Sequence, residues 1–292
     1  MPLGLAARAT TGPAPAGART RHARSSALPL RPLPSPPPVI LVDNVRVGFD
    51  GTEILHGVSF AVQPGQVAGY IGPNGAGKTT TMRLLTGTLA PDAGRVVVGG
   101  ADMATHAVDG KRRFGYVPEH GHLYESFSPA EYLQFIGRMH AVPEKTLAHR
   151  AAALLQFWGL GGDAAAPMAG FSKGMKQKVL LSAGLLHDPP VLLLDEPLSG
   201  LDAHAVLQVR ALLRALARAG KTVFYSSHLL DAVEKVADQV VLIRDGQILA
   251  DGSPAEILAA AGEGSLEGAF SRLTSATDAA AEAEALLESA FG

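Results

Sequence analysis

The sequence predicts an α/β protein built on a mostly parallel sheet, and three observations carry that expectation. From Ser172 onward, short apolar runs alternate with stretches of helical periodicity, the order that lays strands parallel with helices between them. The strands expected at 191–194, 222–225 and 239–243 are short and almost wholly apolar, as buried strands are. Another run, residues 66–71, leads straight into a glycine-rich loop and the opening of a helix. Composition agrees, because 47% apolar and 18% charged residues suit a packed core rather than a disordered chain.

Taken in order, residues 1–38 are rich in Ala, Pro, Arg and Ser, have no periodicity, and are expected to be disordered. Their prolines also spoil the amphipathic helix of a transit peptide. Residues 39–47 and 54–62 read as strands, with Val58, Phe60 and Val62 alternating against smaller or polar neighbours. Strand 66–71 precedes a helix starting near Gly77, and strands follow at 95–98 and 114–117. A long helical stretch is expected from about 129 to 160, where Tyr132, Phe135, Ile136, Leu147, Leu154, Leu155 and Trp158 recur at helical spacing. Helices at about 172–186, 203–219 and 229–237 alternate with the three apolar runs. The body is expected to end near residue 262. Residues 263–292 are Ala- and Glu-rich and read as a solvated helical tail, with Leu286, Leu287 and Phe291 on a short helix.

Several function classes are excluded early. Without cysteine there is no disulfide framework, thiolate zinc site or cysteine nucleophile. The longest stretch free of Asp, Glu, Lys and Arg, residues 54–77, holds six glycines, Pro64, Pro73 and three amide side chains, so it is no membrane span. A role at a membrane would come through a partner. The net charge of −2 hides five arginines (Arg8, Arg19, Arg21, Arg24, Arg31) and no acid in the first 38 residues; the rest has 20 basic against 27 acidic residues, or −7. Such a body disfavours nucleic acid as a partner.

Gly72, Pro73, Asn74, Gly75, Ala76, Gly77, Lys78 and Thr79 form a complete G-x-x-x-x-G-K-[ST] loop in its strand–loop–helix setting, with Thr80 next in the helix. The glycines let successive backbone N–H groups converge on phosphate oxygens, and the helix N-terminus adds positive potential. Lys78 would bridge terminal phosphates, and Thr79 would offer a hydroxyl to Mg2+. Asp195 closes an apolar strand where such a sheet binds ligands, and fits a metal-holding role. Glu196 beside it can act as general base toward a water in line with the phosphate. His228 follows another strand and would reach the same crevice. His120 and His122 have no metal-ligand spacing and are expected to be loop residues.

These motifs, in this order, resemble the nucleotide-binding subunit of ATP-binding cassette (ABC) transporters, most closely the ABC-2 exporter type. The resemblance covers about residues 39–262. Residues 171–178, Phe-Ser-Lys-Gly-Met-Lys-Gln-Lys, resemble the family's signature loop, residues 199–202 its D-loop, His228 its switch histidine, and Phe49 the aromatic that stacks on adenine. The stretch 265–270 is similar to one found in exporter cassettes. Two departures stand out: Lys173 and Met175 leave Ser172 and Gly174 to carry the signature's phosphate contact, and the Q-loop position holds Glu119 in place of glutamine. The resemblance implies a P-loop NTPase core with a mostly parallel sheet, an antiparallel β subdomain and a helical signature subdomain at about 120–180. It implies ATP and Mg2+ as cofactors, Glu119 close to the metal, and Asp202 and the signature at a second cassette's nucleotide. It also implies ATP hydrolysis, a homodimer, an integral membrane permease as partner through the helical insertion (Phe127, Tyr132, Phe135), and a place on the cytoplasmic face of the membrane. The rival reading is a non-transport ABC ATPase acting on another macromolecule.

Overall fold

A computed structural model describes residues 37–119, 121, 123–274 and 289–290. The expectations for residues 1–36, His120, His122, Leu286, Leu287 and Phe291 lie outside the described residues.

The chain enters on a hairpin, β1 (Ile40–Phe49) and β2 (Thr52–Val62), in which Phe49 pairs with Thr52. Asp50 and Gly51 turn it with φ of 50° and 79°, the left-handed pair whose twist matches antiparallel strands. Strand β3 (Val67–Ile71) leads to helix α1 (Lys78–Leu85). Next come β4 (Ala93–Val98), the two-residue β5 (Ala101–Asp102), short helix α2 (Ala107–Lys111) and β6 (Phe114–Val117). Strands β2, β1, β4 and β5 form one antiparallel sheet in that order.

The long helix expected at 129–160 is two helices, α3 (Pro129–Met139) and α4 (Glu144–Phe157). Ser128 and Glu131 close a capping box at the start of α3, with Pro129 in its first turn. The chain leaves α3 through Ala141 at φ 54°, and Pro143, which disfavours helix at the residue before it, starts α4 afresh. Helix α5 (Lys173–Leu185) is capped by Ser172 and leads to β7 (Val191–Asp195). Then follow α6 (Ala203–Arg218), β8 (Thr222–Ser227), the five-residue α7 (Leu230–Glu234), β9 (Gln239–Arg244) and β10 (Gln247–Gly252). Helices α8 (Pro254–Ala261) and α9 (Leu266–Thr274) finish the described body.

The larger sheet runs β10, β9, β3, β8, β7, β6, parallel except for β10, which returns along β9 through Asp245 and Gly246. Its strands split residue by residue between two cores. Val67, Ile71, Leu192, Leu194, Val223 and Tyr225 pack with helices α3 to α9. Ala68, Tyr70, Val191, Leu193, Phe224 and Val241 pack with α1 and the antiparallel sheet, where Phe60 stacks on Phe224 at 5.5 Å. Burial on both faces is why these strands read as unbroken apolar runs. Helix α9 differs from a solvated tail, since Leu266 and Ala269 are fully buried in the first of these cores.

Candidate functional site

Parallel register sets the strand ends side by side. Ile71 pairs with Ser227 across β3 and β8, and Asp195 pairs with Ser226 across β7 and β8. The loop after β3, the acids ending β7 and the histidine after β8 therefore emerge on one edge. They surround a cleft of about 430 Å3. Pro73, Asn74, Gly75, Gly77, Lys78, Thr79 and Thr80 line it from the loop and α1; Glu119, Asp195, Glu196 and His228 line the strand ends. Phe49 and Ile54 reach it from the antiparallel sheet, and Phe49 keeps 43% of its surface exposed.

Gly72 and Ala76 shape the loop from beneath. A Cβ on Gly72 would come within 2.2 Å of the Ile243 carbonyl oxygen, so only glycine lets the loop leave β3 against β9. Gly75 and Gly77 adopt φ of 82° and 104°, with open space beside Gly75. The first N–H groups of α1 have no side-chain cap at Gly77 and belong to a helix end suited to an anion.

Lys78 is nearly buried. Its Nζ donates to the carbonyl oxygens of Gly72 at 2.7 Å and Pro73 at 3.2 Å, and lies 3.9 Å from Glu196 Oε1. One serine fixes both acids: Ser226 Oγ donates to Asp195 Oδ1 at 2.5 Å and accepts the Glu196 N–H at 3.0 Å. Burial pushes the Asp195 pKa up, Glu119 and Glu196 add repulsion, and the Ser226 bond and Lys78 work against the rise. Tyr116 on β6 is pushed up to about 12, chiefly by burial and then by the charge of Asp195. Glu196 sits at φ 48°, a sparsely populated conformation for a residue with a side chain, and His228 Nδ1 meets its Oε2 at 2.9 Å. Sequence reasoning missed Ser226, the penultimate residue of β8, because its place level with Asp195 comes only from the register of β7 against β8.

Oxygen donors suited to a hard divalent cation are present in Thr79 and Asp195, with Glu119 on the same cleft. Among the described residues no group of three or more His, Cys, Asp or Glu could hold a metal by itself. That donor set fits Mg2+, which keeps waters and takes phosphate oxygens beside one or two protein ligands.

Ser172, Gly174 and Asp202 are not in this cleft. They line a second cavity of about 400 Å3 with Lys173, Met175, Lys178 and Gly200, sharing no residue with the first. Ser172 Oγ caps α5 by accepting the Met175 N–H at 3.2 Å, and Lys173 Nζ donates to Ser199 Oγ at 3.0 Å. Asp202 caps α6 through the Ala205 N–H at 2.8 Å, a bond that holds its carboxyl below the usual range.

Residues 55–199 match the ABC transporter family. Over 221 residues the chain is 37% identical to the Nod factor export ATP-binding protein I of Ralstonia nicotianae, covering 76% of this chain and 69% of that protein. This chain belongs to the ABC transporter family. Within that family it also resembles the linearmycin resistance ATP-binding protein LnrL of Bacillus subtilis, at 32% identity over 75% of this chain and 70% of that one. A solved ATP-binding subunit of an ABC transporter superposes with a TM-score of 0.77 and 31% identity, covering 81% of this chain and 99% of that structure. The chain is an ATP-binding subunit of an ABC transporter and an ATPase. No helix among the described residues is long and apolar enough to cross a membrane.

Proposed function

We propose that two copies of this chain pair head to tail and power export through a permease from the cytoplasmic face of the membrane. The observation that carries the pairing is the separation of the two cavities: the phosphate loop lies in one and Ser172, Gly174 and Asp202 in the other. A signature serine and a helix N-terminus facing outward suit a phosphate held by another copy. The names of the relatives, a Nod factor export protein and a linearmycin resistance protein, support the direction of transport. Tyr124, Phe127 and Phe135 form an edge-to-face group at the start of the helical insertion, with Tyr124 56% and Phe135 38% exposed, and they support a permease contact there. Tyr132, by contrast, is buried and belongs to the core.

In this reading the loop N–H groups and Lys78 hold the phosphates, and Phe49 covers the adenine face. Thr79 and Asp195 hold Mg2+, with Glu119 beside them. Bound Mg2+ supplies charge neutralisation at the transferred phosphoryl group. Glu196, aimed by its own strained backbone and by His228, takes a proton from the attacking water. Ser226 keeps both acids in place. The test is Glu196→Gln. Turnover is expected to fall by about 100-fold or more while ATP binding persists and an ATP-bound dimer accumulates in sedimentation velocity. Unreduced turnover would overturn the role of Glu196.

A further inference from the structure

The His228 side chain is hydrogen-bonded to Glu196, and half of it is exposed. Its position must therefore come from the backbone around it. On the N-terminal side it leaves β8, whose Ser227 Oγ accepts the Leu229 N–H at 3.0 Å. On the C-terminal side it runs into α7, a helix of five residues with no side-chain cap. Such a helix has no stability of its own and takes its position from what it packs against. Two contacts hold it inside the core. Ala232 and Val233 are buried, and Val233 presses on β3 so closely that a Cβ on Gly69 would come within 2.2 Å of Val233 Cγ1. The far end is tied by Glu234, whose Oε2 accepts the Leu266 N–H at 2.9 Å.

Leu266 opens α9. Its side chain and that of Ala269 are fully buried in the core that also holds Ala232, Val233, Val236 and Ala237. The Gly268 N–H donates to Ser265 Oγ at 3.2 Å and closes the first turn. So the backbone of the C-terminal helix is hydrogen-bonded to the helix that carries His228 away from the site, across 32 residues of sequence.

We infer that α9 is a strap that positions His228, with Glu234 as its positioning residue. The inference rests on the reading that His228 and Glu196 act together in ATP hydrolysis. A strap of this kind governs the rate of turnover and leaves nucleotide affinity to the phosphate loop. It also gives whatever acts on the chain beyond residue 262 a lever on the site.

The test is a double-mutant cycle on the full chain, measuring kcat and KM for ATP. Glu234→Ala is expected to lower kcat about threefold to tenfold with KM for ATP little changed. Glu234→Gln, whose amide oxygen still accepts the Leu266 N–H, is expected to recover most of the rate. In the His228→Ala background, Glu234→Ala is expected to add no further loss, because the path through His228 is already cut. Equal losses in both backgrounds, or a normal kcat for Glu234→Ala beside a slow His228→Ala, would overturn the strap alone. A normal rate for His228→Ala would overturn the role of His228 and the strap with it.

Discussion

Two carboxylates and a lysine crowd the end of β7, and a single hydroxyl keeps the acids apart in function. Ser226 gives its proton to Asp195 and its lone pair to the Glu196 backbone. Replacing it by Ala leaves a buried acceptor and a buried N–H unsatisfied. Ser226→Ala is therefore expected to destabilise the chain by about 1–3 kcal/mol in urea unfolding and to slow turnover. Asp195 lends itself to a pH experiment. Its native pKa lies above the ordinary 3.8, so the protonated side chain suits the fold, and that preference is lost as pH rises through the native pKa. Asp195→Asn keeps an acceptor for Ser226 and removes the charge. The nucleotide-free variant is expected to melt above the parent near neutral pH, and the gap should close as pH falls to the unfolded value. A constant gap across that window would show that charge is not the cause. Lys78, Thr79, Asp195 and Glu196 were legible because their motifs are local, spelled out in consecutive residues. Ser226 was not, because its partner is 31 residues away and only the register of β7 against β8 brings them together.

Elements were legible where one pattern decided them and obscure where two competed. The apolar strands β3, β7, β8 and β9 declared themselves, since nothing but a two-faced core explains such runs. Strand β10 did not, because Gln247–Gly252 is an edge strand with mixed burial and no clean alternation. The stretch at 129–160 kept helical periodicity through its break, and the break was written in Pro143 and not in the periodicity. Helix α8 was hidden by an alanine-rich composition, although Ser253, Pro254 and Glu256 spell a capping box there, while α9 falls in the expected helical tail and only its buried face went unread. Both boxes offer a direct measure of how much local chemistry these helices use. Ser128→Ala is expected to cost about 1 kcal/mol of stability by denaturant unfolding, leaving the cleft residues untouched. A loss well above that would mean that the cap also holds the Phe127 and Tyr124 cluster in place.

Among the described residues, the cleft at the loop of Lys78 and the cavity at Ser172 are built from different residues. Pairing can be tested by complementation. Lys78→Ala is expected to lower ATP affinity by tenfold or more, roughly the loss of a charge-assisted contact. Ser172→Arg should leave ATP binding intact in each chain and stop turnover by filling the second cavity. Mixed, the two variants can form one pair in which an intact cleft faces an intact signature, and measurable turnover should return. No recovery at any mixing ratio would count against the composite site. The separation of the two cavities also has a genetic consequence. A chain that completes its site with a copy of itself is open to poisoning by a defective allele. With equal expression, only about a quarter of random pairs would lack a mutant copy. A copy carrying lesions at both Glu196 and Ser172 spoils both sites of every mixed pair and should behave as dominant over the wild type, whereas either lesion alone leaves one site intact, and a lesion that stops the chain from folding should be recessive, because an unfolded copy never enters a pair.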